Sequence, residues 1–264
     1  YSYINMKKPY LFIIPHGGYK VPDELAELCM LSQLELFFEA DTGATECFKL
    51  KELGTVISTP VHRLFIDVDR DPYMLPPKSN NGVIKTSTSQ KKQIFPAGIF
   101  PDEIAIAGMI KRYWFPFHSR IEQALGTSRF IVVCHTVAPV APPVAADAGS
   151  PRPIITLEHI TSNGSDITTC DETLTVKLLG ILQKAFAGEK YTVTTPFCIG
   201  RPAKRYIMYK YAKHLLPIIR ISLSKALFVN EKYFDPQTLT IDPERIQGIQ
   251  QRLYECFEAF IRFM

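Results

Sequence analysis

A chain of 264 residues with 46% hydrophobic and 21% charged content is long enough for one large α/β core, and no linker divides it, so residues 1–264 read as a single domain. The net charge of +4 gives no reason to expect nucleic acid as a partner, although it suits a small anionic substrate. No apolar run reaches the ~18 residues that cross a bilayer, and the six cysteines are scattered with no C-x-x-C pair, so a reduced, cytoplasmic protein is the expectation.

The opening YSYINMKKPY lacks the apolar stretch of a signal peptide. YLFIIP (10–15) is a short apolar run that predicts a buried strand, and His16-Gly17-Gly18 predicts a tight loop after it. Residues 22–53 are helix-prone, with a break at Asp41-Thr42-Gly43. TVISTP and HRLFIDVDR (55–70) are rich in β-branched residues and predict one or two strands. Asp67, Asp69 and Asp71 would share one face of a continuing strand, so the strand is expected to end by Asp67. A Pro/Ser/Asn/Lys-rich stretch from 71 to 101 predicts a long surface excursion.

Residues 101–125 predict a helix that kinks or restarts at Pro116. FIVVC (130–134) is the next strand and runs into His135, ahead of a proline-rich loop. IITLEH, YTVTTPF and LPIIRISLS predict further strands, with helices at 171–186 and from 243 to 260. Strands separated by helices predict an α/β fold, a three-layer α/β/α sandwich around a mixed, mainly parallel central sheet. Ligands of such sheets sit at the carboxyl ends of the strands, which groups His16, Asp69-Arg70 and His135 on one rim.

Catalytic zinc sites take three protein ligands from histidine nitrogens and carboxylate oxygens, and keep a fourth position open. His16 and His135 stand at strand ends followed by small residues, and Asp41 lies between them in a helix break. One such histidine alone would ordinarily be a hydrogen-bonded structural residue. Arg70 offers a planar two-pronged contact for a carboxylate, against the alternative of a surface salt-bridge cluster with its acidic neighbours. RPAKRY (201–206) puts Arg201, Lys204 and Arg205 where they would clamp an anion or simply face solvent. His118, among the aromatic residues of 113–118, reads first as a core or helix-surface histidine.

Together these stretches resemble the N-formylglutamate amidohydrolase family, which is related to zinc carboxypeptidases and the aspartoacylase group. The family's P-H-S-G strand end is Pro15-His16-Gly17-Gly18 here, and its helix-start aspartate is Asp41. Its R-x-x-x-D-x-N-R-x-P segment is matched from Arg63 through Asp67, Asp69 and Arg70 to Pro72. Tyr113 to His118 approximates Y-x-x-x-H with one extra residue, and Val133-Cys134-His135-Thr136 stands for D-x-H-S.

The resemblance implies a phosphorylase/hydrolase-like fold and one zinc ion per chain. His16, His135 and Asp41 would be its ligands, with Glu24 as the alternative acid. It implies Arg70 as the grip on a substrate carboxylate, with Arg63, Asp69, Arg201 and Arg205 as further substrate-binding candidates and His118 as a catalytic one. The implied reaction is hydrolysis of the amide of a small N-acyl amino acid, releasing formate from an N-formyl substrate; a carboxypeptidase-like peptidase acting on a peptide-like substrate is an alternative. Four positions depart from the family: Val133 for aspartate, Thr136 for serine, Asp69 for asparagine, and Ser222 where the general-base glutamate of E-I-N is expected. Glu158 is then the candidate substitute base, and a catalytically degenerate binding protein is a further alternative.

Overall fold

The computed structural model describes residues 8–161, 167–190, 192–194, 197–198 and 205–264. Five parallel or antiparallel pairings build the central sheet in the order β2-β1-β3-β7-β4-β5, with β6 also on β4. These strands are β1 (Tyr10–Ile14), β2 (Gly54–Ser58), β3 (Phe130–Val137), β4 (Ile155–Ile160), β5 (Val193–Thr194), β6 (Phe197–Cys198) and β7 (Ile218–Ser224). Every pair is parallel except β4 with β7, so the sheet is mixed and mainly parallel, as the alternation of strands and helices predicts.

Strand alternation sends side chains to two buried faces. Tyr10, Phe12, Phe130, Val132 and Cys134 pack against α2 (Ala44–Cys47), α5 (Glu172–Ala185) and α7 (Pro243–Phe260). Tyr10 and Phe12 both meet Phe257 edge-on, at 5.3 and 5.2 Å between ring centroids, and the Tyr10 hydroxyl donates to the Phe257 carbonyl. Leu11, Ile13, Ile131 and Val133 face the other way, towards α3 (Glu103–Met109), α4 (Phe115–Leu125), α6 (Tyr206–Ala212) and the segment from Val61 to Phe95. The remaining elements are α1 (Gln33–Glu39) and a small hairpin of β8 (Phe234–Asp235) and β9 (Thr240–Ile241).

Four expectations need correction. The run 62–70 is not a strand but a buried irregular segment, because its backbone pairs locally (Phe65 N–H with the His62 carbonyl, Arg70 N–H with Asp67) and with Val83. His135 lies inside β3 rather than beyond it, since β7 continues the pairing as far as Val137–Ser224. The helix expected over 22–53 is a 3-10 turn at Asp23–Leu25 followed by α1 and α2. At Pro116 the helix does not restart: a π-helical turn at Ile110–Trp114 joins α3 to α4, which accommodates a residue without an N–H. Cys29, Cys47, Cys134, Cys170 and Cys256 are free, and no helix among the described residues is long and apolar enough to cross a membrane.

Candidate metal centre

β1 ends at Ile14, and the chain turns at once through Pro15-His16-Gly17-Gly18. A side chain at Gly18 would run into the Pro60 carbonyl, and one at Gly17 into Thr45, so the turn needs glycines to bring His16 under its neighbours. Asp41 follows α1, whose start is fixed by a capping box between Ser32 and Glu35. Its end is fixed by Lys225, which donates to the carbonyls of Phe38 (2.7 Å) and Ala40 (2.6 Å), satisfying groups that a helix end leaves open. The Asp41 N–H donates to the His16 carbonyl at 3.0 Å, which ties the two loops together. Gly43, at φ +79° and against the Phe228 ring, lets the chain turn into α2. His135 projects from β3, and Thr136 anchors that strand by donating to the Thr42 carbonyl at 2.9 Å.

The three side chains meet. One ligand atom from each of His16, Asp41 and His135 lies within 4.8 Å of the others, and all three residues are buried. His135 Nδ1 is 2.7 Å from Asp41 Oδ2, and His16 Nδ1 is 3.6 Å from the same oxygen. His16 Nε2 is 2.7 Å from Asp67 Oδ1, so Nε2–H donates there and Nδ1 faces Asp41 Oδ2. Nδ1 has no hydrogen-bond partner among the described residues although it is buried. Ligand atoms at ~2.1 Å on a tetrahedral zinc lie roughly 3.4 Å apart. The His16–Asp41 separation of 3.6 Å suits that geometry, and the 2.7 Å hydrogen bond between His135 and Asp41 would open by less than 1 Å. The residues therefore fit a metal ion, with Asp67 as the outer carboxylate that sets the tautomer of His16.

The electrostatics favour ligands ready to bind. Burial alone would raise the Asp41 carboxyl, but its hydrogen bond to His135 and the nearby His16 imidazole hold it well below the usual carboxylate range. Burial, reinforced by Arg220, pushes the His135 imidazole down to about 3, so it is neutral near pH 7. Asp67 is also held low, because His16, Lys85 and Arg70 outweigh its burial. Burial raises Asp69, and lowers Lys85 and Lys225 to about 8 each.

The other candidates fall into separate places. Arg63 reaches the centre, 3.6 Å from Asp41 Oδ1 and 4.0 Å from Asp67 Oδ2. Arg70 is buried and donates to the carbonyls of Asn81 (3.2 Å) and Asp69 (2.9 Å), so part of its fork serves the backbone. Asp69 accepts the N–H of Ile207 at the start of α6 (2.9 Å). His118 does not join the cluster. Its Nε2 bonds the Val68 carbonyl (2.9 Å), its Nδ1 bonds the Tyr211 hydroxyl (2.8 Å), and its ring lies 3.9 Å from that of Trp114. With both nitrogens engaged it braces the Asp67–Arg70 segment, apart from the three clustered side chains.

Glu158 on β4 is ion-paired with Arg205 (2.9 Å) and Arg220 (3.4 Å) and is not one of the three clustered residues. Glu24 pairs with Arg112 at 2.7 Å and lies outside the group, so Asp41 is the acid brought to the two histidines. Arg201 and Lys204 fall outside the described residues. Sequence reasoning missed Lys85, Lys225 as a helix cap, and Arg220. Only Arg220 carried a signal, as a single cation in an apolar strand.

The chain matches the sequence pattern of N-formylglutamate amidohydrolase over residues 8–229. Among solved structures it is similar to the gene product Atu2144 of Agrobacterium tumefaciens, with 18% identity, 97% of this chain and 92% of that chain covered, and a TM-score of 0.69. It is equally similar to the N-formylglutamate amidohydrolase of Ralstonia eutropha JMP134, with 17% identity, 99% and 97% coverage, and a TM-score of 0.69. No curated protein matches. The two structural likenesses speak for the fold, and the sequence match spans most of the chain and all three residues of the buried centre. The protein belongs to the N-formylglutamate amidohydrolase family.

Proposed function

We propose that this protein is a zinc-dependent amidohydrolase that cleaves the amide of a small N-acyl amino acid, an N-formyl amino acid in the first instance. The observation that carries this reading is the unpartnered, buried Nδ1 of His16, aimed at the Asp41 oxygen that His135 also touches. His16, Asp41 and His135 would hold the ion, which when bound supplies an activated water and polarises a carbonyl. Arg63, the cation beside both Asp41 and Asp67, is disposed to face the carbonyl oxygen of the substrate, where negative charge develops. Arg70 would hold the substrate carboxylate with the part of its fork not bound to the backbone. The free thiols accord with a reducing, cytoplasmic setting. Metal analysis of the purified protein, followed by an assay of formate release from N-formyl amino acids, tests the proposal. Absence of zinc after incubation with a slight excess would refute it.

One observation favours a second reading. Ser222 occupies the β7 position paired with His135 and carries no carboxylate to take a proton from water. A protein that binds the substrate with its metal and arginines but turns it over slowly fits that feature. Tight binding of an N-acyl amino acid without measurable hydrolysis would favour it over the first.

A further inference from the structure

Asp67 is a carboxylate with a partner for each oxygen. Oδ1 accepts from His16 Nε2 at 2.7 Å and from the Asp69 N–H at 3.0 Å. Oδ2 accepts from Lys85 Nζ at 2.7 Å, with Arg63 further off at 4.0 Å. Lys85 belongs to the long excursion between Asp71 and Pro101, yet its side chain is buried, and its only other side-chain hydrogen bond among the described residues is to the Gly82 carbonyl at 3.3 Å. The backbone holds it in place on both sides. Lys85 N–H donates to the Leu64 carbonyl at 3.0 Å, and Asp67 N–H to the Val83 carbonyl at 2.7 Å. Burying an ammonium is unfavourable unless it is paired, so an apolar side chain would fill this place at less expense if packing were all that it did.

We infer that Lys85 is a positioning residue for the metal centre, resting on the zinc reading above: it locks the Asp67 carboxylate in the rotamer that accepts Nε2–H of His16. That lock leaves Nδ1 of His16 pointed at Asp41 and His135. Without it, Oδ2 of Asp67 loses its close partner, the Asp69 N–H and the more distant Arg63 alone restrain the carboxylate, and its hold on one His16 tautomer weakens. The excursion, which touches no metal-ligand candidate itself, thereby becomes part of the metal site.

Two readouts test this in the full chain. Long-range nitrogen–proton NMR of the metal-free protein, with the His16 signals assigned through His16→Gln, reports the tautomer without any ion. Wild type should show His16 protonated on Nε2 alone, and Lys85→Met a mixture of tautomers. Zinc affinity, read by competition with a chromophoric chelator, should fall about 10- to 100-fold in Lys85→Met, as for loss of an outer-shell partner. In an Asp67→Asn background the further change Lys85→Met should alter affinity by no more than about twofold, since its route is gone. An unchanged tautomer in Lys85→Met, or an equal loss of affinity in both backgrounds, would overturn the inference. Should Lys85→Met fail to fold because it strands a buried carboxylate, the double variant removes both charges, and its comparison with Asp67→Asn decides. Should wild type bind no zinc, the metal reading fails, and the tautomer alone decides the role of Lys85.

Discussion

Ser222 stands directly across the parallel pairing from His135. Paired residues on neighbouring strands point to the same face, so the serine hydroxyl occupies the spot from which a longer acid would reach a substrate held at the centre. Ser222→Glu should therefore raise hydrolysis of an N-formyl amino acid by roughly 10²- to 10⁴-fold, the range for a restored general base. The measurement is kcat/KM for formate release. No gain, with the fold intact by circular dichroism, would mean that the missing acid is not what limits the rate.

His135→Gln should lower zinc affinity by more than about 100-fold, beyond what an outer-shell change produces. Metal content by mass spectrometry checks it. Retention of stoichiometric zinc would remove His135 from the ligand set.

Acid should destabilise the fold early. Burial pushes His62 down to about 4 and His118 down to about 3, from an ordinary value of 6.5. The unfolded chain takes up protons near 6.5, whereas the folded one resists until much lower pH. Stability is therefore fully present above about 6.5 and falls as the pH drops towards 3. Urea midpoints measured from pH 8 to pH 4 should decline below 6.5, and His118→Gln should flatten that decline. A constant midpoint would contradict the neutral, buried histidines.

Lys225→Met should cost about 1–3 kcal/mol by leaving the Phe38 and Ala40 carbonyls without a donor. Because burial lowers Lys225 to about 8 from 10.5, the folded chain loses this proton before the unfolded one does. Wild-type stability should gain from Lys225 as the pH rises from about 8 to about 10.5, and the variant should lack that contribution. Denaturant titrations at both ends of that window decide it.

Gly18→Ala should destabilise by about 1–3 kcal/mol, because the added methyl meets the Pro60 backbone rather than a side chain that can move. An unchanged melting temperature would show that the loop after β1 yields more easily than its packing implies.

Much of the architecture was legible in local pattern. Short apolar runs marked β1, β3 and β7, and Pro15-His16-Gly17-Gly18 marked the turn that carries the first histidine. The segment 62–70 was misread because β-branched and alternating residues imitate a strand, while its actual hydrogen bonds go to itself and to Val83. His118 read first as a core or helix-surface histidine and by resemblance as a catalytic candidate, and the Val68 and Tyr211 contacts show what its two ring nitrogens hold.

The amino-acid order alone determined the family, the mixed α/β sheet and the two histidines of the centre, because those follow from periodicity and short motifs. Tertiary structure decided which acid joins the two histidines. Asp41 is brought to them by a backbone bond to His16 and a lysine cap from the turn just after β7, while Glu24, nearer in sequence to His16, is drawn away to Arg112. It also decided that Glu158 is spent on two arginines and that Lys85, from a loop with no local mark of function, sits behind His16. Such placements depend on contacts between residues tens of positions apart, and spacing along the chain does not encode them.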